Sequence, residues 1–230
     1  MVHTVGWRVS GPEALDFWAE CLSGESIESR RDDGSLIFSD PEGLEHELTV
    51  VEVPDPPLIA DHPEVPAEMA LQGFHAVRAF IADPDASRVL FEEGLGFEAI
   101  DGGWESRGDQ RGGLYLVDAP PDSPPRPGGG TIHHVAWSMG MDEQDEWRRR
   151  VRAAGAHPTP IIDRFYFRSI YFREPSGVLF ELATRGPGFT SDEPLETLGE
   201  KVSIPPFLEH RRAEIEAALQ PLPTPRGVRS

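Results

Sequence analysis

TIHHVAWS at residues 131–138 and RFYFRSIYFREPSGVLFELAT at residues 164–184 enclose a charged segment, and together they indicate the fold. Both quoted stretches contain short runs rich in apolar, aromatic and β-branched residues, which is typical of strands. The segment between them, Asp142–Ala154, has acidic residues first and arginines later, as a helix dipole favours. With strands predicted near 159–163, 167–173 and 178–184, the order is strand, helix, strand, strand, strand, a βαβββ unit.

The same order is predicted three times along the chain. SLIFSDPEGLEHELT at 35–49 aligns without a gap with SIYFREPSGVLFELA at 169–183, and six of the fifteen positions are identical, including Glu47 with Glu181. A unit of about fifty residues used repeatedly is a strong sign of a modular architecture. Each unit presents a curved sheet with an incomplete inner face, so units should pack in pairs. The sequence therefore predicts an α+β fold of three repeated βαβββ units that form curved mixed sheets.

Proline-rich and glycine-rich stretches separate the predicted units, because proline removes backbone donors and restricts the chain. In order, we predict a βαβββ unit at 1–53, a linker at 54–70, a second unit at 71–119, a Pro/Gly linker at 120–130, the third unit at 131–184, and a C-terminal strap and helix at 185–230. In the tail we expect an exposed helix at Phe207–Leu219 and a loose last ten residues.

Composition excludes several classes of protein. The net charge of −19, from 40 acidic against 21 basic residues, predicts no nucleic-acid and no membrane partner, since both carry negative charge. No apolar run approaches the roughly 18 residues of a membrane span, and the opening residues lack the pattern of a secretory signal. The single cysteine, Cys21, fits a reducing compartment. We therefore predict a cytoplasmic protein.

Three residues of the third unit are candidates for metal binding: His133, His134 and Glu181. The two histidines lie on a predicted strand, so their side chains should point to opposite faces, and only one can face the inside of the sheet. A carboxylate in the apolar run FELA is costly to bury unless it is paired or bound to a metal. Taken singly, these residues could be a hydrogen-bonded core histidine and a solvent-facing edge glutamate. Taken together, nitrogen donors and a carboxylate in one unit favour a non-haem metal site with open positions.

Arg164 and Tyr171 precede Glu181 by seventeen and ten residues. A guanidinium and a phenol hydroxyl can orient an anionic oxygen or stabilise developing negative charge. A solvated loop arginine and an ordinary strand tyrosine account for the same two residues equally well.

The architecture resembles the vicinal oxygen chelate superfamily, which includes glyoxalases, bleomycin-resistance proteins and extradiol dioxygenases. GTIHHVAWS together with DRFYFRSIYFREPSGVLFELATRGPGFTSDEPLETLGEK more specifically resembles the dioxygenases that cleave the rings of hydroquinones. The resemblance is close over 130–220 and looser over 1–120. It implies that His134 and Glu181 bind Fe(II), that Arg164 and Tyr171 line the substrate site, and that His133 supports the neighbouring ligand.

For the third metal ligand the sequence offers several alternatives. The enzymes that the chain resembles contain four units and take a histidine from the first, whereas this chain opens like their second unit. His75 in GFHAV could replace it. However, matching Val77 to Val135 places His75 on His133 and not on His134. Alternatively, the N-terminus is truncated, the last unit pairs differently, or the protein has lost the iron. A minor alternative metal cluster combines His3, Glu47 and His75.

On these grounds the sequence predicts an Fe(II)-dependent dioxygenase that cleaves a hydroquinone- or catechol-type aromatic diol with O2, with Mn(II) or Zn(II) as alternative metals. The predicted metal ligands are His134, Glu181 and His75, and the predicted catalytic residues are Tyr171, Arg164 and His133. A metal-free protein that binds an aromatic compound and a glyoxalase-like isomerase or lyase are the alternatives. Because the last unit has no partner unit within the chain, we also predict a homodimer.

Overall fold

The computed structural model describes residues 1–123 and 126–220 and shows mixed, curved sheets with helices. The predicted looseness of the last ten residues, and the centre of the second predicted linker at 124–125, lie outside the described residues. Nowhere in the described ranges is a helix both long and apolar enough to span a bilayer.

The described elements follow the order βαβββ three times. The first unit contains β1 (Val2–Val9), α1 (Pro12–Gly24), β2 (Ser29–Asp32), β3 (Ser35–Ser39) and β4 (Glu45–Val50). The second contains β5 (Phe74–Phe80), α2 (Asp85–Val89) continued by a π-helical turn (Leu90–Leu95), β6 (Glu98–Ile100), β7 (Gly103–Arg107) and β8 (Gly112–Asp118). The third contains β9 (Val135–Met139), α3 (Gln144–Ala153), β10 (Ile162–Asp163), β11 (Arg168–Arg173) and β12 (Leu179–Thr184).

The tail after β12 is built differently from the three units. It contains short 3-10 turns at Phe189–Ser191, Leu195–Thr197 and Pro206–Arg211, followed by α4 (Arg212–Ala218). The single exposed helix expected at Phe207–Leu219 is therefore divided, because its first part adopts the tighter turn after Pro205 and Pro206.

The first two units form one eight-stranded sheet in the order β2-β3-β4-β1-β5-β8-β7-β6. Their first strands, β1 and β5, pair antiparallel with Val5 opposite Val77, so these units pack as a pair, as expected. The third unit forms a separate four-stranded sheet in the order β10-β11-β12-β9. Its first strand, β9, is therefore an edge, and within the described residues no strand of another unit pairs with this sheet.

Aromatic packing joins the second and third units and sets the orientation of β12. Phe91, Tyr115 and Phe180 are completely buried, and the Phe180 ring centroid lies 5.6 Å from that of Phe91 and 5.2 Å from that of Tyr115. Successive side chains of a strand point to opposite faces. Because Phe180 points into this core, Glu181 points to the other face of the sheet.

The stretch predicted as the first linker is tied to the eight-stranded sheet through Asp55. Its carboxylate accepts hydrogen bonds from Arg8 Nη1 at 2.6 Å, Arg107 Nη1 at 2.7 Å and the backbone N–H of Gly112 at 3.1 Å. The side chains of Arg8 and Asp55 are only 4% and 1% exposed. This part of the chain is thus held by a buried ion pair and is not a free connection.

Candidate metal centre

His134 and Glu181 converge on one face of the four-stranded sheet. Glu181 lies opposite Ala136 on β9, and His134 precedes that strand by one residue. The distance from His134 Nε2 to Glu181 Oε2 is 2.8 Å, and Glu181 is 3% exposed. Two donors bound to one ion at about 2.1 Å, at neighbouring coordination positions, lie about 3 Å apart. The two side chains therefore fit as two ligands of a single ion.

The second carboxylate oxygen of Glu181 has its own partner. Ser169 Oγ donates a hydrogen bond to Glu181 Oε1, and Ser169 is completely buried on β11. Sequence reasoning did not single out Ser169. The available signal was its identity with Ser35 in the repeat, one of the six matched positions.

The two adjacent histidines do not point to opposite faces, contrary to expectation. Strand β9 begins only at Val135, so neither histidine is held in the alternating geometry of the sheet. Their Nδ1 atoms are 2.9 Å apart, which is a hydrogen-bond distance. His133 is exposed, and its ring lies beside that of His134.

Tyr171 and Arg164 lie next to the histidine–carboxylate pair. Tyr171 is directly opposite Glu181 in the β11–β12 ladder, and its ring centroid is 6.1 Å from that of His134. Arg164 donates from Nη2 to the Tyr171 hydroxyl at 3.4 Å, and its guanidinium carbon lies 5.3 Å from the centre of the tyrosine ring. The structure thus brings five of the six sequence-predicted site residues together on one side of the sheet: His133, His134, Arg164, Tyr171 and Glu181.

A strained turn presents Arg164. Its backbone N–H donates to the carbonyl of Phe167 at 2.9 Å, which closes a tight connection between β10 and β11. Within this turn Phe165 has a φ of 73°, a conformation that residues other than glycine rarely adopt. Such backbone strain clusters at functional sites, where the surrounding structure maintains it.

His75 is not brought to the pair. It lies on β5 in the other sheet, where Val77 is opposite Tyr115, just as Val135 is opposite Phe180 in the third unit. Counting back from these matched valines, His75 occupies the position of His133, and Ala76 that of His134. Within 1–123 and 126–220, no three His, Cys, Asp or Glu side chains are grouped so that they could hold an ion.

The environment of His75 differs from that of a prepared ligand. Its Nδ1 is buried without a hydrogen-bond partner, and burial, followed by the charge of Arg8, lowers the pKa of the imidazole. The neutral form that results is compatible with a ligand, but the described chain places no carboxylate and second histidine around it.

The minor alternative cluster is not formed either. His3 Nε2 lies 3.0 Å from Asp118 Oδ2, and Arg78 donates two hydrogen bonds to the same carboxylate, at 2.6 and 2.8 Å. The bonds to Asp118, and then the charges of Glu47 and Glu45, raise the pKa of Arg78. In the eight-stranded sheet the Arg78 guanidinium therefore supplies the positive charge beside Asp118, Glu47 and Glu45.

An apolar cavity of about 310 Å³ opens between the eight-stranded sheet and the start of β9. The side chains that border it include Phe74, His75, Leu114, Ile132, His134 and Trp137. Its size lies at the lower end of small-ligand pockets. The cavity therefore offers an apolar space for a single ring next to His134.

Known proteins are similar to this chain in sequence and in fold. The family model for the Glyoxalase/Bleomycin resistance protein/Dioxygenase superfamily matches residues 73–182. A Bacillus subtilis (strain 168) protein named "Putative ring-cleaving dioxygenase MhqA" is 35% identical over 242 residues, which cover 96% of this chain and 76% of that protein. The chain belongs to this superfamily, and the predicted fold class and family resemblance are confirmed.

Two further relatives narrow the comparison. Chlorohydroquinone/hydroquinone 1,2-dioxygenase of Sphingobium indicum is 35% identical over 167 residues, which cover 67% of this chain and 51% of that enzyme. A crystal structure from Bacillus subtilis subsp. subtilis strain 168, named "putative dioxygenase", matches with a TM-score of 0.85 and 32% identity, over 97% of this chain and 74% of that one. All three of these similar proteins carry the name of a dioxygenase, established or putative.

Proposed function

We propose that the protein is an Fe(II)-dependent dioxygenase that cleaves the ring of a hydroquinone- or catechol-type diol. The observation that carries this proposal is the 2.8 Å approach of His134 to the buried Glu181, on the same face as Tyr171. The names of the relatives support the choice of a ring-cleaving reaction over an isomerisation.

The site residues have separate roles in the proposed reaction. When bound, Fe(II) supplies a Lewis-acidic, redox-active centre with open positions for two reactants. His134 and Glu181 would hold it, and His133 would keep the His134 ring oriented through the Nδ1 contact. Arg164 can bind an anionic diol oxygen, and the Tyr171 hydroxyl, already an acceptor from Arg164, can donate to a second oxygen.

Oxygen consumption tests the activity. Protein loaded anaerobically with Fe(II) should consume O2 when hydroquinone or catechol is added, in a ratio of one O2 per diol, since ring cleavage inserts both oxygen atoms. Parallel samples with Mn(II) and Zn(II) identify the active metal, because Zn(II) has no redox chemistry. Protein with demonstrably bound iron that consumes no oxygen with either diol would refute the dioxygenase assignment.

The apolar cavity favours a second candidate function, the metal-free binding of an aromatic compound. Its lining by Phe74 and Trp137 suits a ring whether or not iron is present. After treatment with a chelator, the binder should still change its tryptophan fluorescence on titration with hydroquinone, whereas the dioxygenase should lose turnover. A glyoxalase-like isomerase would need the metal but no oxygen, so oxygen uptake separates it from the first proposal.

We also propose a homodimer that uses the free edge of β9. Unpaired strand edges are templates for pairing with another chain, and Ala136 and Ser138 on β9 are exposed. Light scattering after size exclusion should give twice the 25.4 kDa mass of one chain at micromolar concentration. Ser138→Lys should shift the protein to the monomer, and Glu98→Lys on β6, an edge strand of the eight-stranded sheet, is the control. A monomeric wild-type protein would contradict the proposal.

A further inference from the structure

We infer that Ser169 is a positioning residue that holds the Glu181 carboxylate in the orientation required for metal binding, an inference that rests on the proposed metal site. The family resemblance implies no role for this serine. Three observations support the role: the division of the two carboxylate oxygens, the burial of the serine, and a comparison within the chain itself.

The two oxygens of Glu181 have separate partners. Oε1 accepts the hydrogen bond from Ser169 Oγ, and Oε2 faces His134 Nε2 at 2.8 Å. A serine hydroxyl has one proton to donate, so its bond to Oε1 fixes the carboxylate plane. Oε2 is left as the oxygen that shares an ion with the imidazole.

Ser169 is built into the sheet and not placed at its surface. Its partner across the ladder is Ala183, and the partner of Glu181 is Tyr171, so serine and glutamate are diagonal neighbours on one face. Ser169 is 0% exposed. A buried hydroxyl requires a hydrogen-bond partner, and the Glu181 carboxylate is the partner of the Ser169 hydroxyl.

The first unit provides an internal comparison, because its sequence is aligned without a gap. Ser35 corresponds to Ser169 and Glu47 to Glu181, but Thr49 stands where the third unit has Ala183. Ser35 Oγ there lies 2.8 Å from Thr49 Oγ1. The threonine hydroxyl thus engages the serine of the first unit, whereas Ala183 offers no polar side-chain atom and leaves Ser169 available to Glu181.

The expected consequence is a change in metal affinity. Loss of a hydrogen-bond partner of a metal ligand typically lowers affinity about 10–100-fold. We expect Ser169→Ala to weaken binding of Co(II) and Fe(II) within this range, measured anaerobically by competition with a chelator. The visible spectrum of the Co(II) protein should change as well, because a loosened carboxylate alters the ligand geometry.

Three variants make the test specific. Ser35→Ala removes the equivalent buried hydroxyl from the first unit and should leave metal affinity unchanged, although it costs similar stability. Ala183→Thr reproduces the arrangement of the first unit and should weaken metal binding while Ser169 is still present. Ser169→Thr retains the hydroxyl and should bind metal more tightly than Ser169→Ala.

Each outcome separates this inference from the proposed function. If Ser169→Ala bound metal as tightly as the wild type, or if Ser35→Ala lost as much metal affinity as Ser169→Ala, the positioning role of Ser169 would be refuted. The proposed function would be unaffected. Weaker metal binding in Ser169→Ala with no oxygen uptake by the iron-loaded wild type would support the role and refute the dioxygenase. A wild-type protein that takes up neither metal would refute both the metal site and the role of Ser169.

Discussion

Replacing Glu181 with glutamine is expected to lower Fe(II) affinity by more than the roughly 100-fold that marks the upper end of losses for residues that only support a ligand. The amide keeps the shape of the side chain and can still accept from Ser169 at its oxygen. It carries no charge, however, and an amide is a weak ligand for Fe(II). Because Glu181 is 3% exposed, water cannot readily take over its role.

Glu47→Gln is the matched control, since Glu47 is the equivalent glutamate of the first unit. Iron content after anaerobic loading and gel filtration, together with the dissociation constant from chelator competition, measures both variants. Equal iron binding by wild type and Glu181→Gln would show that Glu181 is not a metal ligand and would refute the proposed metal site. Loss of iron from Glu47→Gln alone would point to the eight-stranded sheet.

Replacing Asp55 with alanine is expected to lower the free energy of unfolding by about 3–5 kcal/mol, the usual cost of removing one partner of a buried ion pair. The variant leaves the Arg8 guanidinium buried beside the carbonyl of Gly112, and Arg107 loses one of its two carboxylate partners and keeps Glu105. Urea denaturation at neutral pH measures the change. Asp16→Ala breaks the exposed pair with Arg31 and should cost at most about 1 kcal/mol.

The effect of Asp55 should depend on pH in a defined direction. Burial alone raises the pKa of this carboxyl, but the hydrogen bonds from Arg107 and Arg8 outweigh it and hold the pKa well below the usual value. The stabilisation is therefore fully present above the unfolded value of about 3.9 and is lost as the pH falls through the lower folded value. The difference in stability between wild type and Asp55→Ala should shrink below about pH 4. A difference that stays constant down to about pH 2 would contradict this assignment.

Much of the architecture could be predicted because it is local in the sequence. Short runs rich in apolar, aromatic and β-branched residues indicated the strands, and the match between 35–49 and 169–183 indicated a repeated unit. The boundaries of α3, Gln144–Ala153, fall close to the segment Asp142–Ala154 that its charge pattern predicted as a helix. The pattern of the third unit singled out the adjacent histidines and Glu181, and the family resemblance implied that His134 is the ligand. His134 and Glu181 meet in the structure.

Contacts between distant segments could not be predicted in the same way. The hydrogen bond of Ser169 to Glu181 depends on which residue stands at 183, and Ser35, identical in sequence, bonds to Thr49 instead. The proline-rich segment after the first unit had the composition of a linker, yet Asp55 anchors it in a buried ion pair. Composition describes a segment, whereas partners are set by what the rest of the fold places against it.

The sequence by itself determined the repeated βαβββ unit and the pairing of a histidine with a glutamate inside the third copy, because both follow from patterns within about fifty residues. The tertiary structure decided that units one and two share a sheet while β9 remains an edge. It also decided that His75 lies on β5 in the other sheet and not beside Glu181. The register of β5 and β8 places Ala76, and not His75, at the position equivalent to His134. Register and sheet pairing arise from packing between units, and no single unit encodes them.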